Sequence, residues 1–258
     1  AMAISGRLLR WAKRAPGDPY VTVSEAPAWE ALERLDRIHP RFAHYAFREA
    51  CGLPPFPHGP AVVSWLEQAE AAPVLDVDPR VAPCLVLDLG VGSLFLGADP
   101  RHVETGPLAE RIFGEMKRAG VGVAIGRYDE ARGIYVSGAF SSGGRATDER
   151  RTVHLGIGVL VAPWASVRAP LAGLVHVLAN NTAPQDYGPL VILRHETGDG
   201  TPFYTLYGHL TEDTLAGLAV GQRVKAGEVI ARVGAPPTNG DWPPHLHFQL
   251  ILDLLARD

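Results

Sequence analysis

The sequence predicts an α+β fold, with helices and mixed structure before residue 145 and short β-strands after it. Three observations carry this reading. Apolar residues recur at helical spacing in the first half. Short β-branched and aromatic runs, separated by Gly, Pro and Asn, fill the second half. Between them lies the flexible stretch SSGGRATD at 141–148. The two regions are therefore read as 1–145 and 146–258. Of the 258 residues, 47% are apolar and 20% charged, enough for a sizeable core.

Trp29, Leu32, Leu35 and Ile38 fall near a helical period. A second helix is predicted over 42–51, stopped by Gly52 and Pro54-Pro55, and a third over 61–70. Residues 84–89 and 93–96 read as strands joined by the turn Gly90-Val91-Gly92. Residues 107–119 form an amphipathic helix closed by Gly120, and 121–125 with 133–136 read as a further strand pair. Strands are then predicted at 159–161, 174–178, 190–194, 203–207, 229–233 and 246–250, a spacing that suits a sandwich or barrel-like sheet.

Several function classes are excluded at this level. A net charge of −4 leaves no nucleic-acid footprint. No apolar run approaches the roughly 18 residues of a membrane span. Gly90-Val-Gly92 and Gly120-Val-Gly122 lack the strand–turn–helix context of a dinucleotide loop. The opening AMAISGRLLRWAKR has no sustained apolar run, and Cys51 and Cys84 show no C-x-x-C spacing. They are read as unpaired thiols, and the expected location is cytoplasmic.

The strongest chemical signal is histidine spacing in the β region. In His245-Leu-His247 both side chains point to one face of one strand, because the side-chain period is two. Tyr207-Gly-His209 ends another strand. Two imidazoles aimed at one space are a natural start for a zinc site. The isolated His102 and His195 are read as structural or exposed.

The order of motifs then becomes specific. His154-Leu-Gly156-Ile-Gly158, Ala169-Pro170 with Gly173-Leu-Val175, Tyr207-Gly-His209-Leu, Val220-Gly221 through Lys225-Ala-Gly227, and His245-Leu-His247-Phe follow in sequence. Over roughly 150–252 this resembles the lysostaphin-type (LytM-like) zinc metallopeptidase domain, an antiparallel fold (duplicated hybrid motif) that cleaves peptidoglycan cross-bridges. The resemblance implies that His154 and His247 are metal ligands and that His209 and His245 are catalytic acid/base or electrostatic groups. The family's ligand aspartate falls on Gly158 and is missing, which implies no zinc or weakly bound zinc unless Asp148, Glu149 or a partner substitutes. Without zinc, His209 and His245 are expected to share one proton and present one acid and one base.

Residues 45–57 (YAFREACGLPPFP), 126–132 and 149–154 are also similar to the middle segment of fusion proteins joining a phosphotransferase-like, a LytM-like and a class III aminotransferase domain. That resemblance implies a setting of small amine metabolism and a possible partner subunit in a hetero-complex. Arg127, Tyr128, Glu130 and Arg132, with Arg151, are candidate contacts for an anionic or zwitterionic substrate. The expected function is a repurposed enzyme acting on a small amino-acid-like or amine metabolite by elimination, cyclisation or hydrolysis. The alternatives are a zinc peptidase or amidase with a substitute ligand, and a non-catalytic binding or activating partner.

Overall fold

A computed structural model of the chain describes residues 30, 33–34, 37–141, 143 and 149–255. The contacts divide the chain into two units, Ala1–Gly59 with Leu254–Arg257, and Pro60–Asp253 with Asp258. In the first unit the second predicted helix forms as α1, Pro40–Ala50. Proline suits its first turn, where the N–H would have no partner, and His39 Nδ1 accepts from Arg41 N at 3.2 Å. Tyr45 packs on Phe56 with ring centroids 4.4 Å apart. The helix predicted from Trp29 to Ile38 falls largely outside the described residues.

α2, Gly59–Gln68, begins at the division, and α3, Thr105–Ala119, ends on Gly120 in the left-handed conformation at φ 68°. The strands are β1 Cys84–Leu87, β2 Val123–Gly126, β3 Glu130–Ala131, β4 Val153–His154, β5 Ile157–Leu160, β6 Ser166–Arg168, β7 Gly173–Asn181, β8 Gly188–Glu196, β9 Pro202–Gly208, β10 Arg223–Val224, β11 Val229–Arg232 and β12 His245–Ile251. Eight of them make one sheet in the order β1-β2-β5-β12-β9-β8-β7-β10. Among the described strands only β1 and β2 pair in parallel, with α3 as the crossover between them. The fold is α+β with a large, antiparallel-rich sheet. That sheet runs across residue 145, since β2 pairs with β5 from Ala124↔Leu160 to Gly126↔Gly158.

Two predicted strands do not form. Residues 93–96 make a turn in which Ser93 Oγ donates to Asp88 O at 2.5 Å and accepts from Leu96 N at 3.1 Å. The apolar run there does not alternate between faces: Leu94 is exposed while Phe95 and Leu96 pack inward. Residues 133–136 are irregular, and Glu130–Ala131 pairs with β4 instead. Side-chain hydroxyl bonding competed with the ladder in the first case.

Alternation along β5 divides two apolar clusters between the two sheet faces. Val159 joins Val191, Leu193, Tyr207 and Leu246 on one side. Leu160 joins Ala124, Trp242 and the α3 residues Leu108, Ile112 and Met116 on the other. Both cysteines are free thiols. Among the described residues no helix is long and apolar enough to cross a membrane.

Candidate active site

The site lies on the sheet face that carries Leu160. The ladder sets Gly126, Gly158, His247 and Gly208 side by side on four adjacent strands. His245 lies one row away, opposite Leu160, with its side chain on the same face as that of His247. Three glycines in one row open a trough across the sheet. A Cβ at Gly126 would sit 2.7 Å from Arg132 Nη2, and one at Gly208 would sit 2.7 Å from Tyr187 Cδ1. A Cβ at Gly158 would meet only His245 Cδ2 at 3.5 Å and His154 Cε1 at 3.9 Å, ordinary contacts.

All four predicted histidines meet in this trough, and all are buried. Ring centroids are 4.8 Å apart for His154 and His247, 4.3 Å for His209 and His245, and 6.1 Å for His209 and His247. Each Nδ1 except that of His247 faces a carbonyl oxygen, so it must donate. His154 Nδ1 donates to Arg127 O at 2.9 Å, His209 Nδ1 to Asn239 O at 2.8 Å, and His245 Nδ1 to Pro243 O at 2.8 Å. The Nε2 atoms of His209 and His245 are then lone pairs. His154 Nε2 and His247 Nδ1 face each other at 3.0 Å, and His247 Nε2 lies 3.3 Å from Gln249 Oε1. His209 is itself held in the left-handed region, at φ 64°, between bonds from its N–H to Tyr187 O and from Gly234 N to its carbonyl.

Burial keeps these imidazoles neutral. It is the largest cause at each position, because desolvation penalises the charged form. His154 is pushed down to about 2, with the Arg132 charge and then His247 adding to the burial effect. His245 falls to about 3 through burial, helped by His247 and Arg132. His247 falls to about 4 through burial and Arg132. His209 lies well below its ordinary value for the same first reason, with His245 and His247 adding repulsion. Burial and the neighbouring rings thus weigh against the proton expected to be shared by His209 and His245, favouring the neutral form of each.

The other sequence candidates separate. Arg132 is buried, its Nε donating to Glu130 Oε2 at 2.8 Å, while Glu130 Oε1 accepts from Leu89 N at 3.0 Å. Arg151 is exposed and lies at the mouth of the cavity, its guanidinium 5.7 Å from the centre of the Phe140 ring. Arg127 contributes its backbone carbonyl, and its own guanidinium stands 3.6 Å from Asp88. Tyr128 is 64% exposed and is not among the residues lining the cavity. His195 is structural, bonded to Ala172 O and Thr205 Oγ1. His102 Nδ1 bonds Leu96 O.

A cavity of about 570 Å³ opens over the trough. Its far wall is apolar and aromatic, built from Leu108 and Ile112 of α3 with Tyr135, Phe140 and Trp242. Tyr135 stacks on Phe140 at 4.4 Å and meets Trp242 edge-on at 5.9 Å. Gln185 pins the 134–137 segment, accepting from Val136 N and Ser137 N and donating to Ile134 O. Sequence reasoning missed Gln185, Tyr187, Trp242 and Gln249. Only Gln249 carried a signal, since it continues the alternate spacing of His245 and His247 on one strand face.

Among the described residues no three His, Cys, Asp or Glu side chains are arranged to hold a metal ion. Glu149 is exposed and is not a lining residue; Asp148 lies outside the described residues. Asp186 supplies a carboxylate to the lining, but its Oδ1 already accepts from Tyr187 N at 2.7 Å and Asn181 Nδ2 at 3.2 Å. A catalytic zinc normally takes three protein ligands and a water. Two imidazoles beside a buried guanidinium do not fit that requirement.

Residues 152–255 match the model described as Peptidase family M23. None of the curated proteins matches the chain significantly. Among solved structures, a zinc-containing peptidase from Vibrio cholerae is 26% identical, over 44% of this chain and 31% of its own, at a TM-score of 0.34. The catalytic domain of the antimicrobial peptidase lysostaphin from Staphylococcus simulans is 26% identical, over 40% of this chain and 71% of its own, at 0.33. LytU is 28% identical, over 43% of this chain and 67% of its own, at 0.31. The chain thus spans under a third of the Vibrio protein.

Proposed function

We propose that this chain carries an M23-type domain repurposed to act on a small amino-acid-like or amine molecule, with His209 and His245 as its bases. One observation carries the reading. The two free Nε2 lone pairs face a cavity of about 570 Å³ with an apolar far wall, a size that suits a small molecule. A neutral imidazole in such a place takes a proton from water or from the substrate and returns it to the leaving group. Hydrolysis, elimination and cyclisation all need that transfer. The test is turnover of a panel of N-acyl amino acids and amines by the purified chain, followed by mass spectrometry, against His245→Ala and His209→Asn. Asparagine is chosen at 209 because it tolerates positive φ. Histidine-independent turnover, or histidine-dependent release of fragments from purified peptidoglycan, overturns the reading.

A second reading, a zinc peptidase with a substitute ligand, has its own support. His154 and His247 each offer an outer ring nitrogen to an oxygen and an inner one to the partner ring, the outer bonding that zinc-binding histidines use. Zinc-stimulated peptide cleavage by the parent chain would favour it.

A further inference from the structure

Among the described ion pairs, Glu130–Arg132 is the one with both side chains buried, 7% and 6% exposed. A charge is costly to bury unless its partners are fully used, and here they are not. Glu130 is anchored by Leu89 N and holds only the Nε edge of the guanidinium. The terminal nitrogens reach Tyr135 OH and Arg127 O at 3.4 Å each, long for charged donors. The same side chain lines the cavity. Gly126 keeps the space beside Nη2 clear, since any Cβ there would stand 2.7 Å from it. The guanidinium is thus fixed at one edge and underused at the other, in the trough that holds the histidines.

We propose that Arg132 is the anion-binding group of this cavity and that its ligand is a monocarboxylate with an apolar or aromatic body. Glu130 is the positioning residue that orients the guanidinium. The carboxylate sits on the terminal nitrogens, and the body lies against Tyr135, Phe140 and Trp242. A carboxylate fits better than a phosphate because Glu130 already offsets much of the one buried positive charge, while a phosphate monoester brings close to two negative charges. The inference rests on the proposed small-molecule reading of the cavity and names its substrate class.

The test is calorimetric titration of the full chain with phenylacetate and with its uncharged isostere phenylacetamide. Phenylacetate is expected to bind on the order of tenfold more tightly, the scale of a charge-assisted hydrogen-bonded pair. Arg132→Lys keeps part of that preference. Arg132→Met strands the Glu130 carboxylate, so Glu130→Gln/Arg132→Met serves as the folded reference and is expected to lose the preference entirely. Equal binding of the two probes, no binding of phenylacetate, or a preference that survives the double substitution overturns the proposal. Its failure alongside histidine-dependent turnover removes the anion site and leaves the proposed chemistry standing. Loss of turnover dependence with the preference intact does the reverse.

Discussion

His154 Nε2 and His247 Nδ1 face each other at 3.0 Å, although both outer ring nitrogens also lie against oxygens, Arg127 O and Gln249 Oε1. Three hydrogen bonds in that row need three protons, and two neutral imidazoles carry two. Burial argues against an added proton. The row is completed either by turning the Gln249 amide so that it donates, or by a cation between the rings. A Cβ at Gly158 would stand 3.9 Å from His154 Cε1, so a carboxylate placed there would lie beside that ring.

Gly158→Asp is expected to raise zinc affinity at least about tenfold over the parent, which should hold substoichiometric zinc. The substitution fits sterically, with the nearest contact of its Cβ at 3.5 Å. Metal content by elemental analysis after chelator challenge measures it. Stoichiometric, chelator-resistant zinc in the parent would show that the two-imidazole account is wrong.

Breaking the buried ion pair should cost far more than removing it. Glu130→Ala leaves the Arg132 guanidinium buried without its 2.8 Å partner and is expected to destabilise the fold by about 3–5 kcal/mol. Glu130→Gln/Arg132→Met should recover a large part of that loss. Urea midpoints of the parent, the single and the double variant give the answer, and an exposed-type cost below about 1 kcal/mol for Glu130→Ala would contradict the burial argument.

Most of the sheet was legible in the sequence because strands such as Gly188–Glu196 and Pro202–Gly208 are runs of β-branched and aromatic residues bounded by turn formers. The four histidines were legible as a set through alternate spacing and motif order. The wall facing them was not. Leu108 and Ile112 look like any buried helix face, and nothing in the chain around Tyr135, Phe140 or Trp242 shows that β2 pairs with β5 and brings that segment over the trough. Ser93–Leu96 misled for a local reason, since its serine hydroxyl closes a turn that composition alone reads as a strand.

Acid should weaken the fold through the histidines. Unfolded imidazoles titrate near about 6.5, whereas folded His247, His245 and His154 lie at about 4, 3 and 2. Above the unfolded value both states are neutral and the contribution is constant. As pH falls below it, the unfolded chain takes up protons that the folded chain cannot, so stability is lost by up to about 1.4 kcal/mol per pH unit per histidine. The window runs from about pH 6.5 down to about pH 4, where folded His247 begins to charge. Urea midpoints across that range measure the slope, and His245→Asn should make it shallower. A flat profile in the parent would mean that these rings are not desolvated.

The two glycines of His154-Leu-Gly156-Ile-Gly158 should respond oppositely to alanine. A Cβ at Gly156 would stand 2.5 Å from His247 Nε2 and 2.8 Å from Phe248 O. The imidazole cannot simply swing away, because its Nδ1 is bonded to His154 and its Nε2 to Gln249. The carbonyl is backbone of β12, fixed in ladders with both β5 and β9. Gly156→Ala must therefore move either the ring or the strand, and is expected to cost about 1–3 kcal/mol, as overpacking does, together with any function that depends on His247. At Gly158 the same methyl finds only ordinary contacts at 3.5 and 3.9 Å. Gly158→Ala should fold as well as the parent, or gain up to about 1 kcal/mol by restricting the unfolded chain. Denaturation midpoints for the two variants, with imidazole NMR signals as a report on ring positions, separate the cases. If Gly158→Ala proves the more damaging, the trough holds something at that position that the four histidines alone do not account for.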